Sequence, residues 1–104
     1  MAALRADTLK AALPAAVYYA RMLPTMPPAR RGGWNDGGLC PFHEDAHKGN
    51  FRVNLDTGAF VCFACGEKGG DIIAFHQRTR NLSFPDTIAD LGRSFLASSG
   101  QYDD

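Results

Sequence analysis

No stretch of the sequence stays apolar for the roughly 18 residues that a membrane span needs, because Pro14, Arg21 and Pro24 interrupt the most apolar segment. The same segment lacks the basic start, unbroken apolar centre and small-residue cleavage site of a secretory signal, which predicts a cytoplasmic protein with no membrane partner. Cysteine is scarce. Three thiols cannot close a complete set of internal disulfides, which argues against a disulfide-built secreted domain. Net charge is absent too, with 11 Lys+Arg against 11 Asp+Glu, so strong sequence-independent coating of DNA is excluded. Internal repeats and low-complexity tracts are missing. With 104 residues there is room for one domain and little beside it.

What is present is a globular composition, 45% hydrophobic and 21% charged. The charge is uneven along the chain. Residues 1–39 carry five bases and two acids, residues 40–80 carry five of each, and residues 81–104 carry one base and four acids. A basic front and an acidic tail suit a local anion-binding face or simply a solvated surface.

The three cysteines fall into one frame. Cys40-Pro41-Phe42-His43 is followed, after eighteen residues, by Cys62-Phe63-Ala64-Cys65-Gly66. Two C-x-x-[CH] pairs at that separation have the spacing of a tetrahedral zinc site, since each pair forms a tight turn whose two side chains converge on one point. Pro41 and Gly66 favour such turns. Cys40, His43, Cys62 and Cys65 would fill all four positions with protein, leaving none for a reacting water, so one structural Zn²⁺ is expected and catalysis is not. His47 is a poorer fourth ligand, six residues beyond Cys40, and His76 reads as an ordinary packed or exposed residue of a helix. Glu44 directly after His43 does not reproduce the H-x-E spacing of zinc deaminases, and no proline precedes the second pair.

Alternation of Phe51, Val53 and Leu55 with Arg52 and Asn54 predicts a half-buried strand. Asp56-Thr57-Gly58 then reads as a hairpin loop, and Ala59–Phe63 as the return strand, so a hairpin joins the two ligand turns into a zinc ribbon. Gly66–Asp71 reads as a flexible turn with Asp71 as a helix N-cap, placing Ile72, Phe75 and Thr79 on one face. Ser83 is a second N-cap with Asp86 as its reciprocal partner, opening a helix with Ile88, Leu91, Phe95 and Leu96 at helical spacing. Leu9, Leu13, Val17 and Tyr18 form an N-terminal stripe on one helix or two, with Pro14 as the kink or the new start. Arg30–Gly38 reads as a basic glycine-rich loop carrying the only tryptophan, Trp34. The expected architecture is α+β in a single domain: a helical segment over 1–30, a zinc-ribbon core with a small antiparallel sheet over 38–70, helices over 71–96, and a frayed tail over 97–104.

Four segments resemble the N-terminal zinc-binding domain of bacterial DNA primases: Gly38-Leu39-Cys40-Pro41-Phe42-His43-Glu44, Phe51-Arg52-Val53, Phe60–Gly66, and Gly70-Asp71-Ile72-Ile73-Ala74-Phe75. Leu82–Leu91 is similar to the helix that follows in that domain, and the likeness spans roughly residues 15–96. The resemblance implies a small antiparallel sheet flanked by helices, with zinc at one end on Cys40, His43, Cys62 and Cys65, and a part in choosing the single-stranded template site where primers start. Ala46-His47-Lys48-Gly49-Asn50 departs from the lysine, threonine, proline and serine usual there. The family's catalytic Toprim domain has no counterpart in these residues, so the chain is expected not to be an enzyme by itself. It reads as a stand-alone or excised module of the kind that phages and mobile elements encode.

Single strands are held by bases stacked on aromatic rings and by phosphates met by Lys or Arg. Arg30, Arg31, Trp34, Lys48, Arg52, Phe60 and Lys68, on the hairpin and the basic loop, are the expected contacts with single-stranded DNA. Phe60 and Trp34 could instead serve the hydrophobic core, and Lys48 or Lys68 could merely offset the charge of the thiolates. The competing reading is a protein–protein adaptor that docks onto a primase catalytic core, a helicase or another replication protein. No small-molecule substrate is implied, and the expected location is the cytoplasm, on the nucleoid.

Overall fold

The computed structural model describes residues 5–44 and 49–96. His47, Lys48 and the tail expected over 97–104 lie outside the described residues. The chain runs α1 (Ala6–Ala12), α2 (Ala15–Met22), β1 (Trp34–Asp36), β2 (Phe51–Asn54), β3 (Phe60–Cys62), β4 (Lys68–Gly69), α3 (Ile72–Arg80) and α4 (Phe84–Leu91), closing with a π-helical segment, Gly92–Leu96. This is an α+β fold with the zinc-ribbon hairpin at its centre.

Pro14 starts a new helix rather than kinking one. It is the N-cap of α2, and the rupture resets the helical phase. The stripe expected through Val17 is therefore corrected: Val17 is 54% exposed, whereas Tyr18 and Tyr19 are buried. Asp71 caps α3, its side chain accepting from the Ala74 amide at 2.9 Å. Ser83 caps α4 by accepting from the Asp86 amide at 3.2 Å. The last helix expected through Leu96 keeps α-helical form only to Leu91, and the wider π-helical turn then lays Phe95 and Leu96 against the core.

The sheet has four antiparallel strands in the order β1-β2-β3-β4. The hairpin β2–β3 turns at Gly58, whose φ of +85° suits glycine, and its amide donates to the Asn54 carbonyl at 2.7 Å. Two strands lie where loops were expected. β1 occupies the middle of the glycine-rich segment, and β4 is the two residues Lys68–Gly69 beside β3. β4 can lie there only because residue 69 has no side chain. A Cβ at Gly69 would stand 2.5 Å from the Phe60 ring.

Strand alternation separates two faces. Asn35, Phe51, Val53, Phe60 and Cys62 point inward and are buried, while Trp34, Asp36, Arg52, Asn54, Val61 and Lys68 line the other side. The helices cover the inner face through one ring. Phe75 of α3 has ring centroids at 5.1 Å from Tyr19, 5.3 Å from Phe60, 5.5 Å from Phe42, 5.8 Å from Tyr18 and 6.1 Å from Phe51. Most of these pairs meet edge to face, the arrangement that ring quadrupoles favour. A single aromatic cluster thus joins α2 and α3 to the sheet and to the turn carrying Cys40 and His43.

Candidate metal centre and nucleic-acid interface

The two ligand turns are held from opposite sides. Before the first, the Leu39 amide donates to Thr25 Oγ1 at 2.8 Å, tying the turn to the proline-rich segment. Within it, the Phe42 amide points at Cys40 Sγ, 3.4 Å away. The second turn continues directly from β3, with the Gly66 amide donating to the Cys62 carbonyl at 2.9 Å and the Cys62 amide to the Glu67 carbonyl at 2.8 Å. Phe42 lies between the first two donors and stacks on Phe60 at 5.5 Å, so the first turn is seated in the aromatic core.

The donor atoms of Cys40, His43, Cys62 and Cys65 all lie within 4.8 Å of one another. Cys40 Sγ is 3.9 Å from Cys65 Sγ, and Cys62 Sγ is 3.5 Å from His43 Nε2. With Zn–S near 2.3 Å and Zn–N near 2.0–2.1 Å, tetrahedral edges come to about 3.8 Å for two sulfurs and about 3.6 Å for sulfur and nitrogen. Both edges match, and the Cys40–Cys65 sulfur separation is far too long for a disulfide. His43 Nδ1 lies 3.1 Å from the Glu44 carbonyl, which can only accept, so Nδ1 carries the proton and Nε2 offers its lone pair. The donor set fits one structural zinc with no position left over. When bound, the ion supplies the charge that lets three thiolates share one small volume. In the metal-free chain burial pushes the Cys40 thiol up to about 12. Burial opposes ionisation at Cys62 as well, but the amides of Cys65 and Ala64 and the His43 imidazole outweigh it and bring that thiol down to about 7.

Of the residues expected at DNA, the structure gathers five, Arg30, Arg31, Trp34, Arg52 and Lys68, on or beside the open face of the sheet. Arg52 faces Asp36 and Val61 in register, and Val61 faces Lys68. Trp34 is 43% exposed, which removes the alternative that it caps the core. A cleft of about 270 Å³ beside it is lined by Arg30, Arg31, Trp34 and Arg52, together with Asp36, Asn35, Pro27 and Pro28, which brings the basic loop to the sheet. Among the described residues, no carboxylate forms an ion pair with Arg30, Arg31, Arg52 or Lys68. Phe60 is corrected. It is 1% exposed, stacked on Phe42 and edge-on to Phe75, and has no face to offer a base.

Sequence reasoning missed Phe63. Its ring is 72% exposed, and it lines a second small cavity with Trp34, Arg52 and Val61. The signal was available: Phe63 follows an inward-facing ligand, and the residue after an inward strand position points outward. Among the described residues, no helix is long and apolar enough to cross a membrane.

The CHC2 zinc finger family model matches residues 22–102. Over 59 residues, 57% of this chain, the sequence is 41% identical to a DNA primase of Clostridium acetobutylicum and 44% identical to one of Mycolicibacterium smegmatis. Over 60 residues, 58% of the chain, it is 43% identical to a DNA primase of Streptomyces coelicolor. These matches cover 10%, 9% and 9% of the respective relatives, so the chain spans about a tenth of their length.

Proposed function

Since the chain belongs to the CHC2 zinc-finger family and is a primase-related zinc module, we propose that it holds single-stranded template DNA at primer initiation, in the cytoplasm and alongside a primase catalytic core. In this reading it is an accessory part and not the polymerising one, of the sort a phage or mobile element would carry. The observation that carries the reading is the open face of the sheet. Two exposed rings, Trp34 and Phe63, flank Arg52 there, with Lys68 on the neighbouring strand and Arg30 and Arg31 across the adjoining cleft. Rings to stack bases and unpaired cations to meet phosphates are what single-strand recognition needs, and neither depends on sequence. Zero net charge is compatible with this, because the bases are concentrated where the rings are. Lys48 belongs to the same proposal by its place between the ligand pairs. Phe60 is not part of it.

Fluorescence anisotropy with a labelled oligonucleotide tests the face. Replacing Arg31 and Arg52 together by Ala should weaken binding and reduce the slope of log affinity against log salt by about 1.4, at roughly 0.7 per phosphate contact on a single strand. Unchanged affinity and slope would remove this face from consideration. The adaptor reading has one observation in its favour, an open, largely apolar groove of about 800 Å³ between α1 and α4, with Ala6, Phe84, Pro85, Ile88 and Ala89 in its lining beside the charged Arg5, Asp7 and Lys10. Absence of DNA binding even at low salt would turn the assignment to that groove.

A further inference from the structure

The core contains a second polar constellation, remote in role from the metal and from the open face. The ring of His76 in α3 is fully buried, and both of its nitrogens are engaged. Nδ1 lies 2.7 Å from the Tyr18 hydroxyl on α2, and Nε2 lies 2.6 Å from Asp90 Oδ2 on α4. The other carboxylate oxygen of Asp90 accepts from Arg93 of the π-helical segment at 3.3 Å. Arg80 of α3 adds a further positive charge felt at both Tyr18 and Asp90. Three helices therefore meet on one imidazole.

An ionised carboxylate can only accept hydrogen bonds. Asp90 consequently requires a proton on Nε2, and in the neutral ring this leaves the Nδ1 lone pair as the acceptor for the Tyr18 hydroxyl. Carboxylate, imidazole and hydroxyl in that order also make a nucleophile relay, but this one is sealed: Tyr18 has no exposed surface, and none of the surface clefts described above is lined by it. Its role is mechanical. Tyr18 packs edge-on to Phe75 and tilted on Phe95, and Phe75 in turn supports Phe42 at the metal turn and Phe60 in the sheet.

We propose that Asp90, His76 and Tyr18 form a one-directional positioning relay, in which Asp90 selects the Nε2–H tautomer of His76 and thereby fixes the hydroxyl of Tyr18 as a donor, locking α2, α3 and α4 in one arrangement beneath the metal turn. Nitrogen-15 NMR of the zinc-loaded chain reads the tautomer directly. The expected result is a protonated, slowly exchanging Nε2 and a bare, hydrogen-bonded Nδ1. A proton on Nδ1, alone or together with one on Nε2, would overturn the proposal.

A thermodynamic cycle tests transmission, because Tyr18 and Asp90 share no hydrogen bond and communicate only through the ring between them or through space. Denaturant unfolding of Tyr18→Phe, Asp90→Ala and the double variant should depart from the product of the single effects on the folding constant by threefold or more. In a His76→Leu background the departure should vanish. Multiplicative effects with His76 in place, or an equal departure without it, would each refute the relay. Should a variant fail to fold, the NMR measurement on the unaltered protein still decides.

Discussion

Removing the zinc is the perturbation whose consequence the structure bounds most closely. The ion joins residues 25 positions apart, Cys40 and Cys65, across a four-stranded sheet whose strands are two to four residues long. It also fixes Phe42 in the middle of the aromatic cluster, stacked on Phe60 and edge-on to Phe75. In its absence burial keeps the Cys40 thiol protonated, and the charge attraction that draws the two turns to one point is lost. Free zinc at a thousand times its dissociation constant stabilises the folded state by about 4.1 kcal/mol. For a domain of this size each kcal/mol moves the midpoint by about 4–8 °C, so chelation should lower the melting temperature by about 16–33 °C. Near-UV circular dichroism is the assay of choice because it reports the rings that the metal seats. The far-UV helical signal should fall less, since Leu9, Tyr18, Ile73 and Leu91 pack within the helical half. A midpoint that moves by less than about 5 °C on chelation would show that a sheet of such short strands stands on its own burial without the metal.

Zinc loading of the metal-free chain at pH 8 should expel a whole proton from Cys40 and a minor fraction of one from Cys62, so affinity should climb as pH rises, which calorimetry in buffers of different ionisation enthalpy measures. Gly69→Ala should destabilise by about 1–3 kcal/mol in urea unfolding, because the new methyl meets a Phe60 ring that Phe42 and Phe75 hold in place. The His76 hydrogen bond, aided by Arg80 and Arg93, holds the Asp90 carboxyl below the usual carboxylate range. Its stabilisation is therefore complete above about pH 4 and lost as pH falls through the lowered value, so the stability gap between the protein and Asp90→Asn should be widest near pH 6 and narrow toward pH 3. DNA binding, if it uses the open face, should disappear on chelation and return with zinc, because Phe63 sits between two of the ligands.

The metal site was legible because its signal is local. Four donors in two short turns encode their own convergence, and the alternation of Phe51, Val53 and Leu55 supplied the hairpin between them. Both helix caps were equally local, and both are made. What escaped were features decided by partners distant in the chain. In Trp34-Asn35-Asp36 only the tryptophan favours a strand, and the segment becomes β1 because the edge of β2 offers Asn54, Val53 and Arg52 as partners. His76 looked like any helical histidine, since neither Tyr18 nor Asp90 announces itself as its neighbour at separations of 58 and 14 residues.

The errors over aromatic residues have one cause, and it bears on how the chain works. Phe60 and Phe63 differ by three positions on one strand and its turn, and composition alone cannot say which ring faces the core. Cys62 settles it. A ligand must point to the inner side, where His43 and Cys40 await it, so the residue two before it points inward as well and the residue after it points out. Phe60 is accordingly packed under the sheet and Phe63 displayed on its surface beside Trp34 and Arg52. Metal ligation and strand parity together thus determine which ring stabilises the fold and which is left exposed to meet a base.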